Sequence, residues 1–204
     1  VGLVVGALPG LGLQLVFALV LPFLFVMFLG VFEYGTAWRN STIVASALRT
    51  AVRSVAQSRT APGADKFALQ GLMASLETTN GITVEKVIIY NGDASVGSGS
   101  SIGEPSNACK AATSPSGAPN GCNVYPKDRL TTATLIDSNF GTASGCAGKY
   151  DAKWCPTARS NSMTTTSGPE WVGVYIELEY DSVTSLLPNT VTVSDYTSSR
   201  LEPS

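Results

Sequence analysis

The chain opens with a long apolar stretch that lacks charged side chains. Residues 1–32 hold no Asp, Glu, Lys or Arg, and Gln14 is their one strongly polar residue. About 20 apolar helical residues cross the ~30 Å core of a bilayer, and residues 11–32 supply that length. Three glycines and a proline make residues 1–10 a poor continuous helix. The pattern predicts an apolar membrane or filament-core segment over residues 1–32, with a leader over residues 1–12 as one reading of its start.

A cleaved signal peptide is the alternative interpretation of this stretch. Signal peptides place a basic region before a short apolar core. Here the sequence shows no basic region, the apolar run is longer than such a core, and its pattern continues into an amphipathic helix. These features favour an anchor over a signal peptide.

Beyond residue 32 the apolar positions recur at three- and four-residue steps, as in an amphipathic helix. Arg39, Arg49 and Arg53 lie mostly on the opposite side. A single helix over Leu13 to Ser58 would be on the order of 70 Å long, about twice what the membrane needs. The outer half, residues 33–60, must therefore pack on its own domain, on neighbouring subunits, or on both.

The remaining residues, 61–204, are predicted to form an α+β domain. The Pro62-Gly63 pair ends the first helix, and a second helix follows over Ala64–Glu77. Alternation and β-forming residues predict strands over the ranges 82–90, 171–180 and 190–200, of which the third returns antiparallel to the second. The segment 181–188 is predicted as one helical turn and a loop.

Two details of the strands and loops complete the prediction. In the second strand Val172, Val174, Ile176, Leu178 and Tyr180 share one face. Glu177 and Glu179 on the other face are interpreted as the solvated side of an edge or outer strand. The Gly-, Ser- and Pro-rich region 91–169 holds few large apolar residues and is expected to bury little surface itself.

The four cysteines, Cys109, Cys122, Cys146 and Cys155, all fall within that region. They form no C-x-x-C pair, and the chain has no histidine, so disulfides in an oxidising compartment are favoured over a metal site. Three pairings are open from sequence. We favour Cys109–Cys122 and Cys146–Cys155, because both close short loops that a disulfide would stabilise by roughly 3 kcal/mol.

Composition argues against several functional classes. Lys and Arg number 13 against 15 Asp and Glu, so no large basic field favours nucleic acid. Without histidine the chain lacks the usual general base and the Ser-His-Asp and Cys-His arrangements. We therefore expect no catalytic residue, no cofactor, no metal site and no nucleic-acid partner.

Two runs near the N-terminus resemble a known family. The runs from Gln14 to Pro22 (QLVFALVLP) and from Gly30 to Gly35 (GVFEYG) resemble the TadE-like pseudopilins of bacterial tight-adherence (Tad) pili, which are related to type IV pili. The family signature joins a Glu-Phe-Ala-Leu-Val-Leu-Pro core to a downstream Gly-x-x-Glu-x-Gly. Weaker fragments extend the resemblance through most of residues 12–203: Cys122 to Tyr125, Trp154 to Pro156, Trp171 to Val174 and Arg200 to Pro203.

This resemblance implies a pilin-like structural subunit of a surface filament. Its partners would be other copies of itself or other pilin-like subunits, with membrane lipid around the helix before assembly. The domain would lie outside the cytoplasm, at the bacterial cell surface or in an extracellular filament. The residues that would carry assembly on the helix are Phe17, Leu21, Pro22, Phe25, Phe28, Tyr34, Trp38, Val44, Leu48 and Val52.

One departure from the family pattern concerns processing. The resemblance implies cleavage by a prepilin peptidase between Gly12 and Leu13. Family members carry a glutamate just before the position of Phe17, and here the run from Gly12 to Val16 reaches Phe17 without it. In pilins that carboxylate is expected to pair with the N-terminal amine of a neighbouring subunit, a contact of value only at low dielectric.

A second function is compatible with the same residues. A single-pass anchor would present the β domain to a ligand or surface, or the chain would act in pilus assembly without forming the filament body. The apolar face of the helix extends beyond the length of a membrane span. This favours the filament subunit over the anchored binding domain and the assembly factor.

Overall fold

The chain begins with one very long helix. The computed structural model describes residues 11–77, 79, 81–93, 101–164, 168–181 and 190–203, and in the first helix it describes side chains from residue 17 onward, residue 19 excepted. Helix α1 spans Leu11–Ser58, 48 residues, or about 72 Å at 1.5 Å per residue. It ends at Arg59, which takes the left-handed conformation (φ 54°) common after helix ends. The single predicted helix is confirmed, two residues longer at its start.

The second helix turns back along the first. Helix α2 spans Ala64–Glu77, as predicted. Gly63 permits the sharp connection, because its φ of 74° suits a residue without a Cβ. The buried stripe of α2, which includes Leu69, Leu72 and Leu76, packs against the outer half of α1.

Four antiparallel strands form the sheet. They are β1 (Ile82–Asn91), β2 (Cys122–Pro126), β3 (Trp171–Asp181) and β4 (Thr190–Arg200), in the spatial order β2-β1-β3-β4. Three of them are the predicted strands, and β4 does pair antiparallel with β3. Strand β2 was not predicted. Short helices lie in the connections: α3 (Asn107–Ala111) and 3-10 turns at Lys127–Arg129, Asp137–Asn139 and Pro156–Ala158.

One face of the sheet packs against α1 and α2. The predicted alternation of β3 is confirmed: Val172, Val174, Ile176 and Leu178 are buried in this core, and Tyr180 packs against it. Because Leu201 is buried in the same core and Glu202 N–H donates to the carbonyl of Ala56, the end of β4 lies beside the end of α1.

The other face of the sheet is covered beside β1 and β2. Ile88, Tyr90 and Tyr175 are buried there with the Cys109–Cys122 disulfide. A Cβ on Gly173 would collide with the ring of Tyr90, so this close approach requires glycine.

The interpretation of Glu177 and Glu179 as marking an edge strand is wrong. Strand β3 lies between β1 and β4, and Glu177 Oε2 accepts from Lys86 Nζ at 2.9 Å. Glu177 is thus held on the outer face of β3 by an ion pair, although the strand is internal.

The expectation that residues 91–169 bury little surface is also wrong. This region supplies a whole buried strand and several large core side chains, because the sheet and helices provide the partners that the region lacks on its own. The predicted turn and loop at 181–188 falls almost entirely on residues outside the described ones. The larger core side chains from 91–169 are those of Val124, Tyr125, Leu130, Leu135, Phe140 and Trp154.

Candidate functional site

The first half of α1 projects from the domain with its apolar side chains uncovered. We define residues 17–38 as the projecting half. Six of its predicted assembly residues are each at least 54% exposed, and Pro22 is exposed as well. Exposed apolar surface of this extent marks a contact with lipid or protein. The six are Phe17, Leu21, Phe25, Phe28, Tyr34 and Trp38.

The second half of the helix, residues 44–58, is docked on the domain. Val44, Leu48 and Val52, also assigned to assembly, are buried in the chain's own core. The docked half therefore has its partner within the chain. The structure divides the predicted assembly face into an uncovered part and a part that its own sheet and second helix cover.

The start of α1 contains the predicted processing site. Gly12 and Leu13 lie in its first turn, where side chains are not described. Among the described residues, α1 is the one helix long and apolar enough to cross a membrane by length and composition, with a mean hydropathy of 1.7 in its apolar window.

A buried ion pair stabilises the domain against which the docked half packs. Arg159 Nη2 donates to Asp65 Oδ1 at 2.7 Å, and both side chains are fully buried. Asp65 sits in the first turn of α2, where a carboxylate also complements the helix dipole. Its second oxygen accepts from Asn123 Nδ2 and from the Tyr125 hydroxyl, each at 2.9 Å. The pair therefore joins α2, β2 and the loop after Trp154.

Trp154 completes this buried network. Its backbone N–H donates to Asn123 Oδ1 at 2.9 Å, and its carbonyl accepts from Asn123 and Arg159 at 2.8 and 3.1 Å. The Arg159 guanidinium stacks 4.0 Å above the indole ring, a favourable cation–π geometry. Because Trp154 precedes Cys155, the network and the Cys146–Cys155 bond hold the same loop.

Two groups of this region, the Tyr125 phenol and the Asp151 carboxyl, have raised pKa values. Burial first, and then the neighbouring Asp65 carboxylate, raises the pKa of the Tyr125 hydroxyl well above its usual value, so the phenol stays a neutral donor. Burial likewise raises the pKa of Asp151, although its carboxylate accepts from the Gly141 N–H at 2.9 and 3.1 Å.

Each disulfide joins two cysteines that follow one another among the cysteines of the chain. Cys109 is bonded to Cys122 and Cys146 to Cys155, with Cα–Cα distances of 6.0 and 5.6 Å. The first holds α3 against the start of β2. The second encloses Asp151 and Trp154 in its loop, next to the buried ion pair.

A second polar cluster fastens α3 to the outer face of the sheet. Lys86 Nζ donates to the carbonyl of Lys110 at 2.8 Å while pairing with Glu177, and Lys110 Nζ pairs with Glu104 at 3.1 Å. Sequence reasoning missed both clusters, because each joins residues dozens of positions apart. In the described part of the chain, no three His, Cys, Asp or Glu side chains are grouped to hold a metal ion.

A long helix with an uncovered apolar first half, followed by a small antiparallel sheet with a disulfide-stapled loop region, defines a pilin-like α+β protein. Residues 17–53 match the family described as TadE-like protein, so the resemblance in the QLVFALVLP and GVFEYG runs is confirmed over that segment. The match supports a pilin-like protein associated with Tad pili. The C-terminal fragments lie outside the matched residues. Neither a curated protein nor a solved structure matches the chain.

Proposed function

We propose that this chain is a structural, pilin-like subunit of a bacterial surface filament, which assembles through the projecting half of α1 with its domain outside. The observation that carries the proposal is the division of α1. One continuous helix has a docked half in the chain's own core and a projecting half whose large apolar side chains are exposed. Surface of that kind calls for a partner from outside the chain.

Two partners suit the projecting half in succession. Before assembly, lipid accommodates it, because residues 11–32 have the length and polarity of a membrane span. After assembly, the same side chains pack against the helices of other copies or of other pilin-like subunits. The domain carries two disulfides, which fits an oxidising compartment outside the cytoplasm.

Cleavage between Gly12 and Leu13 belongs to this proposal. It would leave Leu13 as the new N-terminus, only four residues before Phe17, and so start the mature chain within the apolar helix. Mass spectrometry of the chain from its native membrane tests this point. A terminal peptide beginning at Leu13 supports cleavage, whereas peptides that cross from Gly12 to Leu13 in the mature protein contradict it.

Shearing cells and imaging the released material tests the filament role. Filaments labelled by an antibody to the domain would establish the chain as a filament subunit. Confinement of the chain to the membrane fraction would contradict that role and favour the alternatives, a single-pass anchored binding domain or an assembly factor.

A matched pair of variants sharpens the experiment. Phe25→Ala removes an exposed ring from the projecting half, and Phe67→Ala removes a comparably exposed ring from α2. We expect Phe25→Ala to lower the amount of chain in filaments and Phe67→Ala to leave it unchanged. Equal effects from the two would contradict assembly through α1.

A further inference from the structure

A groove lies where α1 leaves the domain. It encloses about 460 Å³ between the helix, the end of β3 and the first half of β4. Tyr34 and Trp38 contribute exposed aromatic rings from the helix, and Asp195 contributes a carboxylate from β4. The Asp195 side chain accepts from the N–H of Tyr196 at 2.8 Å. Among the described residues, no ion pair includes Asp195, so the groove offers aromatic faces and an unneutralised negative charge to a cation.

The outer part of α1 offers the complementary charge. Arg39, Arg49 and Arg53 are exposed and lie on the side of the helix away from the buried Leu48 and Val55. We call these three residues the arginine face. Within the part of the chain that the structure describes, they form no ion pair. Glu33 is the one acidic residue in the α1 sequence, so the helix itself does little to neutralise them.

The interior of the same domain shows how such groups combine. Arg159 stacks on the Trp154 ring at 4.0 Å and pairs with the Asp65 carboxylate at 2.7 Å. An aromatic face beside a carboxylate suits a guanidinium, because the ion is planar, weakly hydrated and able to stack and pair at once. The groove presents these two kinds of group at the surface.

We infer that the groove receives Arg49 and Arg53 from a second copy of this chain. The inference rests on the proposed assembly function and names a specific contact within it. Trp38 and the two arginines are 11 and 15 residues apart, so a parallel copy shifted along the helix by about 16 to 22 Å brings its groove level with its neighbour's arginines. The groove and the two arginines are different surfaces of the chain, so the contact is heterologous and repeats into an open helical array.

Charge reversal and its repair test the contact. Asp195→Arg places a cation in the groove, and Arg49→Glu with Arg53→Glu reverses the facing charges. Like charges at an interface cost several kcal/mol, so each variant should lower the chain released in sheared filaments by about tenfold or more. All three substitutions together restore opposite charges and should restore most of the yield. The control Asp128→Arg, at an exposed position after β2, should retain the wild-type yield.

Cross-linking tests proximity independently of filament yield. All four native cysteines are disulfide-bonded, so new thiols can be targeted with a bismaleimide in intact cells. Ser41→Cys lines the groove from the helix side, and Thr50→Cys adjoins the arginine face. Copies carrying one substitution each, expressed together, should cross-link into dimers, whereas Ser41→Cys paired with Thr132→Cys should not.

The outcomes separate this contact from filament formation as such. Filaments with neither a charge effect nor specific dimers would overturn the groove contact and leave the filament role standing. If no filaments form, the proposed function fails. Specific dimers in the membrane would then still support the groove contact, and the absence of such dimers would overturn the contact. A groove that faces lipid headgroups instead would give no specific dimers, and Asp195→Arg would alter membrane retention, which also overturns the inference.

Discussion

The two halves of α1 have similar apolar side chains but opposite surroundings. In the docked half Leu48 is 1% exposed, and in the projecting half Leu21 is 58% exposed. Hydrophobic periodicity alone treats these positions alike. The difference arises because the domain covers the helix closely from about Val44 onward and only in part over residues 33–43, and leaves most side chains of residues 17–32 exposed. One helix thus packs in the core of a domain at one end and exposes large apolar side chains at the other.

Removing the buried ion pair should have the largest effect on the domain that covers the docked half. Asp65→Ala leaves the fully buried Arg159 without its carboxylate, and removing one partner of a buried pair costs about 3–5 kcal/mol. We expect this loss in the free energy of unfolding of the domain, measured by urea denaturation of the full chain in detergent with tryptophan fluorescence as the signal.

The control for Asp65 is another acid that pairs with a neighbouring lysine. Glu85 pairs with Lys127, and their side chains are 33% and 59% exposed, and ion pairs open to solvent contribute about 0–1 kcal/mol. Glu85→Ala should therefore change stability little. Losses of similar size from the two substitutions would contradict the anchoring role of the buried pair.

The same substitution in each half of α1 sharpens the comparison directly. Leu48→Ala should cost the domain about 2–5 kcal/mol, because it opens a cavity in the core. Leu21→Ala should change domain stability by less than about 0.5 kcal/mol, as exposed substitutions do. The urea midpoint of each variant measures the difference. If Leu21→Ala destabilised the domain as much, the projecting half would not be independent of it.

The disulfide-closed loop that precedes Arg159 should have a smaller effect on stability. Replacing Cys146 and Cys155 together by serine removes the disulfide between two residues nine positions apart. In the chain-entropy model this should lower the free energy of unfolding by roughly 2–3 kcal/mol. The helical content of the projecting half should stay unchanged in detergent. Far-ultraviolet circular dichroism below the unfolding transition would report that content, and a large helical loss there would contradict the separation of the halves.

Much of this architecture could be predicted from local patterns. Helix α2 and the strands β1, β3 and β4 follow their own periodicity, and glycine and proline mark the end of α1. The uncovered apolar segment could also be predicted, because 32 residues without a formal charge are visible in the sequence. These features depend on neighbours along the chain.

The parts that escaped prediction depend on distant residues. Strand β2 is five residues long, buried on both faces, and lies in a region dominated by glycine, serine and proline, so it shows no alternation. It exists because β1 offers an edge with which to pair. Arg159 is 94 positions from Asp65, and an arginine in a polar loop gives no sign that it will be buried. The boundary between the two halves of α1 likewise follows from where the sheet lies.

Acidity gives the smallest test, and the group that it concerns lies in the domain. The projecting half has no ionisable side chain between Phe17 and Phe32, whereas burial raises the pKa of Asp151 from its ordinary 3.8. A raised carboxyl pKa means that the folded state binds the proton more tightly than the unfolded state. The resulting stabilisation is complete below pH 3.8 and is lost as pH rises through the folded-state pKa.

Asp151→Asn removes this proton-linked contribution while keeping an acceptor for the Gly141 N–H. From acid to neutral pH the variant should therefore lose less stability than the wild type, by an amount smaller than in the preceding variants. Urea denaturation at a series of pH values measures the two slopes, and Asp128→Asn, at an exposed position, should keep the wild-type slope. An unchanged slope for Asp151→Asn would show that its carboxyl titrates alike in the folded and unfolded chain, and burial by the domain would then have no electrostatic consequence at this position.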